Sequence, residues 1–475
     1  MNTLELPPKV ETPGPVLTDA ILRRLDQPGP RYTSYPTADR FVEAFTGVDY
    51  RRALWARSQG LRGAGGAAPL SLYVHIPFCE SVCYYCACNK VITHHHDRAQ
   101  PYLQALSQEV ALHVEQLGRG QTVFQLHLGG GSPTFLSDAE LAQLMDVLRG
   151  AFTVLPKAEV SIEVDPRTVD AARLKHLASL GFNRVSFGVQ DFDPQVQKAV
   201  HRVQSEEMVR NLVVSARELG FVSTNVDLIY GLPHQTIESM RRTVATVSAL
   251  RPDRVALYAY AHLPQRFKPQ RRIDTASLPT AEARIRMLAT ALDGFVAGGY
   301  EYIGMDHFAL PGDSLAVAKR QGRLHRNFQG YSTQPDCDLI GLGVSAIGGV
   351  GATYSQNAKT LPEYYDALRQ GQFPVVRGLT LSRDDVVRRA VIMALMCQGR
   401  VEFDDVEIAH LVKFRDYFAA ELQMMESLRD MGLVAIEPRA INVTPLGWYL
   451  VRAVAMVFDR HAQADQRREH FSRII

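Results

Sequence analysis

LSLYVHIPFCESVCYYCACNK, residues 70–90, joins a short apolar segment to a loop that carries four cysteines. Cys79, Cys83 and Cys86 have the spacing C-x3-C-x2-C, and Cys88 follows two residues later. Cysteine thiolates are the usual ligands of iron–sulfur clusters. Three of them on one loop can reach three corners of a cubane cluster and leave the fourth iron open. The spacing therefore predicts a cluster with one iron free to bind another molecule.

A structural zinc site is the alternative for such a loop. Structural zinc usually combines two separated pairs of ligands, and this sequence has no second pair. We therefore disfavour zinc. The isolated Cys337 and Cys397 are interpreted as small, partly buried hydrophobic side chains. His94, His95 and His96 are adjacent and cannot all face one ion, so we interpret them as part of a solvated connection.

Outward from the loop, strand patterns alternate with helix patterns. This alternation predicts an α/β fold with a partial (βα)6 parallel barrel. In such barrels the chemistry collects at the carboxyl ends of the strands. Six short apolar strands are expected to begin at Leu70, Val123, Glu159, Arg184, Ser223 and Arg254. The cysteine loop and GGGSPT at 129–134 each follow a strand, Glu163 and Gln190 each end one, Asp227 lies within another, and Ala261 follows the last. All of these candidates are expected on one rim of the barrel.

The predicted domains are an N-terminal arm packing over the active site at 1–50, a catalytic domain at 51–375 and a smaller, mainly α-helical domain at 376–475. In the last of these, two helices and a hairpin resemble a winged-helix unit. Acidic residues outnumber basic ones between Glu402 and Asp430, whereas a DNA-binding face should be basic. We therefore expect a structural or lid domain rather than a DNA-binding regulator.

The composition is that of an ordinary globular enzyme. Hydrophobic residues make up 46% and charged residues 21% of the 475 residues, and the net charge of +2 does not favour nucleic-acid binding. The first residues lack the basic and apolar regions of a signal peptide, and no segment has the pattern of a membrane span. We expect a reducing cytoplasmic setting without membrane insertion.

The spacing C-x3-C-x-aromatic-C, with Tyr85 at the aromatic position, resembles the signature of radical S-adenosylmethionine (SAM) enzymes. The resemblance implies that Cys79, Cys83 and Cys86 hold a [4Fe–4S] cluster whose open iron chelates SAM. It also implies that GGGSPT receives the methionine end of that cofactor. Glycines suit this role because backbone amides can then approach a carboxylate without Cβ in the way.

Further segments resemble the oxygen-independent coproporphyrinogen III oxidases. They are GPRYTSYPTA (29–38), CACNK (86–90), HRNFQGYSTQ (325–334) and LIGLGVSAI (339–347). The resemblance implies anaerobic conversion of two propionates of coproporphyrinogen III to vinyl groups, which gives protoporphyrinogen IX by way of 5′-deoxyadenosyl radicals from SAM. It implies two SAM molecules. It also implies a low-potential electron donor and an electron acceptor.

The same resemblance assigns residues to the two SAM molecules. Tyr73, Tyr85, Gly130 and Glu163 match positions around the first molecule. Gly131, Ser132, Gln190, Arg202, Asp227, Ala261 and Ile347 match positions around the second. Two departures are a serine at 132 in place of threonine and an alanine at 87 in place of a common glycine.

Three residues are the candidates for catalysis: Cys88, Glu163 and Gln329. We favour a functional, non-ligating Cys88 over a spare thiol or a fourth cluster ligand. A buried Glu163 is expected to accept hydrogen bonds from a ligand. Arg202 and Asp227 could instead simply pair with each other. Candidates for meeting the substrate's four propionates are Arg31, Tyr35, Arg326 and Gln329.

Two other functions remain as alternatives. One is a different radical SAM reaction on a porphyrin-like substrate, and the other is a related haem-binding chaperone without decarboxylase activity. The arm segment and Cys88 favour the oxidase over the chaperone. No feature demands an interface between copies of the chain, so we expect a monomer.

Overall fold

The computed structural model describes residues 24–25, 29–60, 68–305, 307–334 and 337–464. The chain divides into two compact units. The larger unit is Tyr32–Arg389, and the smaller one combines residues from 1–31 with residues from 390–475.

The larger unit contains sixteen strands among its described residues. They are β1 (Leu70–Ile76), β2 (Phe78–Cys79), β3 (Val91–Ile92), β4 (Gln121–Gly130), β5 (Phe152–Val164), β6 (Arg184–Gln190), β7 (Ser223–Tyr230), β8 (Arg254–Ala259), β9 (Glu301–Gly304), β10 (His307–Ala309), β11 (His325–Asn327), β12 (Gly330–Ser332), β13 (Asp338–Leu342), β14 (Ile347–Val350), β15 (Thr353–Asn357) and β16 (Val375–Thr380).

Its α-helices alternate with the strands from β1 to β8. They are α1 (Gly47–Ser58), α2 (Ala99–Leu117), α3 (Asp138–Ala151), α4 (Ala171–Ser179), α5 (Pro194–Ala199), α6 (Glu206–Glu218), α7 (Ile237–Leu250), α8 (Ala281–Ala297), α9 (Ser314–Arg320) and α10 (Leu361–Arg369). α11 (Arg383–Gln398) carries the chain from the larger unit into the smaller one.

The predicted partial (βα)6 parallel barrel is confirmed. β1, β4, β5, β6, β7 and β8 are neighbours in this order, and every adjacent pair is parallel. β1 is buried along nearly its whole length, as expected for a parallel strand covered on both faces. Each crossover helix buries one apolar side; α7, for example, buries Met240, Val244 and Val247 at helical spacing.

The sheet extends beyond the predicted barrel on both sides. On one side β13 pairs parallel to β1, and β14, β15 and β16 then follow in antiparallel order. On the other side β10 pairs antiparallel to β8. The extension from β13 to β16 matters for function because it carries Ile347 and the residues opposite it.

The smaller unit is mainly helical, as predicted. Its described elements after α11 are α12 (Phe403–His410), α13 (Phe414–Tyr417), α14 (Ala419–Asp430), α15 (Pro445–Tyr449), α16 (Val451–Met456) and α17 (Arg460–Ala464), with β17 (Arg400–Glu402), β18 (Val434–Ile436) and β19 (Ala440–Val443). The three strands form one antiparallel sheet. Arg452 donates to the carbonyl of Pro30 at 3.1 Å within this unit. Much of the predicted arm lies outside the described residues.

None of the described helices is long and apolar enough to cross a membrane.

Candidate active site

The cysteine loop is anchored at both ends by a short parallel pair. β2 contains Cys79 and pairs with β3, and the backbone N–H of Thr93 donates to the carbonyl of Cys79 at 2.9 Å. Inside the loop, Tyr84 N–H donates to the carbonyl of Val200 at 3.0 Å. The loop between the cysteines is therefore held by neighbouring elements rather than by its own short sequence.

Cys83 is buried beside two guanidinium groups. Arg202 Nη1 lies 3.4 Å and Arg167 Nη2 lies 3.7 Å from its Sγ. Both arginines also pair with Asp165, at 3.3 Å and 2.6 Å. Burial alone would raise the pKa of Asp165, but the hydrogen bonds from Arg167 and the charge of Arg202 outweigh it and lower that pKa. The Cys83 sulfur and the Asp165 carboxylate therefore share the same two guanidinium groups.

Cys86 and Cys88 interact with each other and with Lys90. Lys90 Nζ donates to the carbonyls of Cys86 at 3.1 Å and of Cys88 at 3.4 Å. A hydrogen bond from Cys88, aided by Lys90 and opposed by burial, lowers the pKa of the Cys86 thiol to about 6. Burial raises the pKa of Cys79 to about 12.

The glycine motif packs directly against the cysteine loop. Ser132 N–H donates to the carbonyl of Phe78 at 2.8 Å. A Cβ on Gly131 would lie 2.7 Å from that carbonyl oxygen, and a Cβ on Gly130 would lie 2.6 Å from the His75 ring. Gly130 also has φ of 112°, which L side chains rarely adopt. Glycine at both positions lets the two loops approach closely, as a ligand cradle requires.

Glu163, at the end of β5, has partners within the protein. His127 Nε2 lies 3.2 Å from its Oε1, and Gly130 N–H donates to its Oε2 at 3.1 Å. Burial would raise the pKa of Glu163, but these hydrogen bonds and the charge of His127 outweigh it and lower the pKa. The predicted Tyr73 stacks on the same His127 at 5.9 Å between ring centroids.

His127 was not among the site residues predicted from the sequence. It lies on β4 directly opposite Tyr73 of β1 and Ser161 of β5, and its Nδ1 is 2.6 Å from Ser161 Oγ. The sequence did carry one signal of its role: His127 is a polar residue in an apolar strand, two residues before the glycine motif.

Asp227 and Arg202 do not pair with each other, so the alternative that joined them is wrong. Asp227 accepts from Ser186 Oγ at 2.8 Å and from Asn225 Nδ2 at 2.9 Å. Burial raises the pKa of Asp227 to about 6, although these two hydrogen bonds oppose the rise. Gln190 ends β6 with φ of 70°, in the left-handed region that is costly for a non-glycine residue.

Ala261 is joined to Tyr85 by a residue that the sequence analysis also missed. The side-chain amide of Gln270, which is buried, donates to the carbonyl of Tyr85 at 3.0 Å and to that of Ala261 at 3.1 Å. The loop after β8 is thereby fastened to the cysteine loop. A glutamine in a surface-like sequence, QRFKPQRR at 265–272, gave no signal of this role.

Most of the predicted site residues line one cavity of about 450 Å³, the cluster cavity, at the carboxyl ends of the strands. The predicted residues in its lining are Cys79, Cys83, Tyr85, Cys86, Cys88, Gly130, Gly131, Ser132, Glu163, Gln190, Arg202 and Asp227. Tyr73, Ala261, Ile347 and Gln329 are not in its lining. Of these, Tyr73 and Ala261 are linked to it through His127 and Gln270, as described above. Across the described residues, no three His, Cys, Asp or Glu side chains are placed to hold a single metal ion.

The propionate candidates are placed separately. Gln329 lies in the turn between β11 and β12, and its Nε2 is buried without a hydrogen-bond partner among the described residues. The Arg326 guanidinium lies 4.6 Å from the ring centroid of Tyr331. Tyr35 is fully buried in the larger unit, whereas Arg31 belongs to the smaller one.

The three adjacent histidines are exposed. His96 lies 3.2 Å from Glu80 and stacks on Phe135 at 4.4 Å.

Comparison with known proteins agrees with this geometry. Residues 73–247 match the model of the Radical SAM superfamily, and residues 381–450 match that of the HemN C-terminal domain. An oxygen-independent coproporphyrinogen III oxidase of Pseudomonas aeruginosa is 49% identical over 457 residues, covering 96% of this chain and 98% of the relative. The enzyme of the same name from Escherichia coli is 46% identical, with coverage of 96% and 98%.

A solved structure leads to the same conclusion. Coproporphyrinogen III oxidase (HemN) from Escherichia coli, described as a radical SAM enzyme, has a TM-score of 0.87 at 46% identity and covers 93% of this chain and 99% of its own. The parallel barrel and the cysteine loop define a radical SAM enzyme, whose cofactors are a [4Fe–4S] cluster and SAM. Within that class, the chain belongs to the family of oxygen-independent coproporphyrinogen III oxidases. The family, the enzyme class and the kinds of cofactor predicted from the sequence are confirmed.

Proposed function

We propose that this protein converts two propionate side chains of coproporphyrinogen III to vinyl groups without oxygen, giving protoporphyrinogen IX in haem biosynthesis. The observation that carries the proposal is the cluster cavity, where a three-cysteine loop, a glycine cradle and buried charged residues meet at the carboxyl ends of one barrel. When bound, the cluster and SAM supply the radical that removes hydrogen from the propionate.

Cys79, Cys83 and Cys86 hold the cluster in this proposal. The donor set is that of an iron–sulfur site because all three residues are thiols in one cavity lining. Arg202 and Arg167 both lie within hydrogen-bonding distance of the Cys83 sulfur. The same two arginines lower the pKa of Asp165 and keep its buried carboxylate ionised.

The residues assigned to two SAM molecules form two sets, and most members of both sets line the cluster cavity. Around the first molecule, Gly130 and Glu163 form one hydrogen-bonded unit, with Tyr73 linked to it through His127. Around the second, Asp227 is a carboxylate without a cation in contact with it among the described residues, so it can meet a positive group of the cofactor. Gly131, Ser132, Gln190, Arg202, Ala261 and Ile347 complete this second set.

Cys88 and Gln329 act on the substrate side. Cys88 lines the cluster cavity and is solvent-accessible, so it can contact a bound molecule. The buried, unpartnered Nε2 of Gln329 can donate to a propionate carboxylate. The reaction also requires a low-potential electron donor and an electron acceptor. We further infer a monomer located in the cytoplasm, where the free cysteines stay reduced.

The test is anaerobic turnover by the full chain after cluster reconstitution, with coproporphyrinogen III, SAM and a chemical reductant. We expect protoporphyrinogen IX as the product, and we expect its loss in Cys83→Ala together with the cluster absorption. Cys337→Ser is the matched control and should keep both. SAM cleavage without any change of the tetrapyrrole would overturn the substrate assignment and favour a haem-binding chaperone or another porphyrin-like substrate.

A further inference from the structure

Three strands beyond the predicted barrel align a row of side chains that begins at a predicted cofactor residue. Ile347 of β14 lies opposite Gln356 of β15, and Gln356 lies opposite Arg377 of β16. Directly opposed residues of antiparallel strands present their side chains on the same face. Arg377 Nε donates to Gln356 Oε1 at 2.6 Å. Arg377 is therefore held on the face of the sheet that carries Ile347.

Aromatic side chains lie beside this row. The Arg377 guanidinium is 5.7 Å from the ring centroid of Phe41. Phe41 stacks on Tyr354 at 5.7 Å, and Phe328 approaches both rings edge-on, at 6.5 Å and 5.6 Å. Ile347 packs against the same cluster. Phe328 directly precedes Gln329, whose amide is the unpartnered donor described above.

Two further cations lie near Arg377. Lys359 follows β15, and its carbonyl accepts a hydrogen bond from Asn89, the residue after Cys88, at 3.0 Å. Arg266 belongs to the loop after β8 that begins near Ala261. Burial, and then the charges of Arg377 and Arg266, lower the pKa of Lys359. Arg377, Lys359 and Arg266 are called the cationic rim below.

No member of the rim forms an ion pair with another described residue. Burial lowers the pKa of Arg377; the charge of Asp39 opposes this effect, Arg266 lowers the pKa further, and Glu43 opposes it again. Asp39 is already engaged with Arg40 at 3.2 Å and with Thr37. Neighbouring cations without an ion pair repel one another, and a ligand that brings negative charge relieves this repulsion.

We propose that Arg266, Lys359 and Arg377 bind propionate carboxylates of the tetrapyrrole substrate, while the half-buried Phe328, supported from behind by the buried Phe41, contacts its ring. An apolar ring with several carboxylates on its edge matches an aromatic side chain bordered by cations. Arg377 can offer a guanidinium already oriented by Gln356 and Phe41, which favours a charge-assisted hydrogen bond to a carboxylate. The inference rests on the proposed function, and its three cations lie outside the sequence motifs quoted above.

The experiment measures substrate KM and kcat for Arg377→Gln, Lys359→Gln and Arg266→Gln, and the binding of coproporphyrin III by fluorescence. Arg377→Gln removes a charge-assisted hydrogen bond to the substrate. We therefore expect its KM to rise roughly ten- to a hundredfold, with kcat changing far less. Arg377→Lys should recover part of the affinity. Arg241→Gln, on the exposed side of α7, is the matched control.

Comparing the binding of free coproporphyrin III with that of its neutral tetramethyl ester separates a role in carboxylate binding from a purely structural role. Wild-type protein should prefer the free acid over the ester, and each rim variant should lose part of that preference. Unchanged KM and unchanged acid-over-ester preference in all three variants would overturn the inference. Lys359 and Arg266 are exposed, so their variants should keep the wild-type cluster absorption and melting temperature. Tight binding of coproporphyrin III by a wild-type protein that does not decarboxylate would instead count against the proposed function.

Discussion

The residues in and directly behind the lining of the cluster cavity, called its wall below, differ from the cationic rim in how their charged groups are paired. In the wall, Arg202 and Arg167 share Asp165, and Glu163 is paired with His127. On the rim, three cations act on one another, and none of them forms an ion pair among the described residues. The carboxylates of Asp165 and Glu163 therefore have partners within the protein before a ligand arrives, whereas the rim cations are proposed to find theirs in the substrate. Asp227 is the exception in the wall, because it leaves a negative charge for a positively charged cofactor.

The largest effect is expected from removing the buried guanidinium of Arg202. Arg202→Gln removes the contact with Cys83 and leaves Asp165 buried with Arg167 alone. A hydrogen bond that involves a charged group contributes about 1.5–3 kcal/mol, and Arg202 contacts both Cys83 and Asp165. The kcat/KM for SAM should therefore fall by roughly a hundredfold or more, and the melting temperature should fall as well.

The coupling between Arg202 and Asp165 is tested by adding Asp165→Asn. If the two residues act as one unit, the double variant should lose much less than the sum of the single losses. Additive losses in kcat/KM and in melting temperature would show that the two residues act independently.

Much of the wall could be predicted from the sequence because its parts are local. The cysteines share one loop, and Glu163, Gln190 and Asp227 lie near the carboxyl ends of apolar strands, which meet at one edge of a parallel barrel. What could not be predicted is how these residues are paired. The contact of His127 with Glu163 depends on the register of β4 and β5, and that register is fixed only when the sheet forms.

The rim could not be predicted at all. Its residues come from a loop after β8, from the end of β15 and from β16, and each is an ordinary cation in its local sequence. Likewise, Gln270 acts on Tyr85 across 185 positions of the chain. Only the folded sheet brings Arg377 opposite Gln356 and Gln356 opposite Ile347.

A smaller effect, on the pH dependence of SAM binding and of stability, is expected from replacing Asp227. Its pKa is raised to about 6, chiefly by burial, so the folded protein holds this proton more tightly than the unfolded chain does. Its contribution to stability is present in full below the unfolded pKa of 3.8 and is lost as the pH rises through about 6. Binding of a cation needs the ionised form, so SAM affinity should rise over the same range.

The measurements are the SAM dissociation constant and the melting temperature between about pH 5 and pH 8, for wild type and Asp227→Asn. Below its pKa a single group loses roughly tenfold in the required form per pH unit. The variant should bind SAM more weakly at pH 8 and should lack both pH dependences. If the variant kept the wild-type pH dependence of SAM binding, Asp227 would not be the group that meets the cofactor's charge.

The smallest effect, and the one that compares the two regions most directly, is their response to salt. The Debye screening length falls from about 10 Å at 0.1 M to about 3 Å at 1 M ionic strength. Salt screens exposed charges far more than buried pairs. Lys359 and Arg266 are exposed, whereas Arg202 and Asp165 are buried. Raising KCl from about 50 to about 500 mM should therefore raise the KM for coproporphyrinogen III several-fold and change the KM for SAM by less than about twofold. The double variant Lys359→Gln/Arg377→Gln should show a weaker salt dependence for the tetrapyrrole and an unchanged one for SAM. An equal response of both KM values to salt would mean that the rim and the wall do not differ in the way proposed.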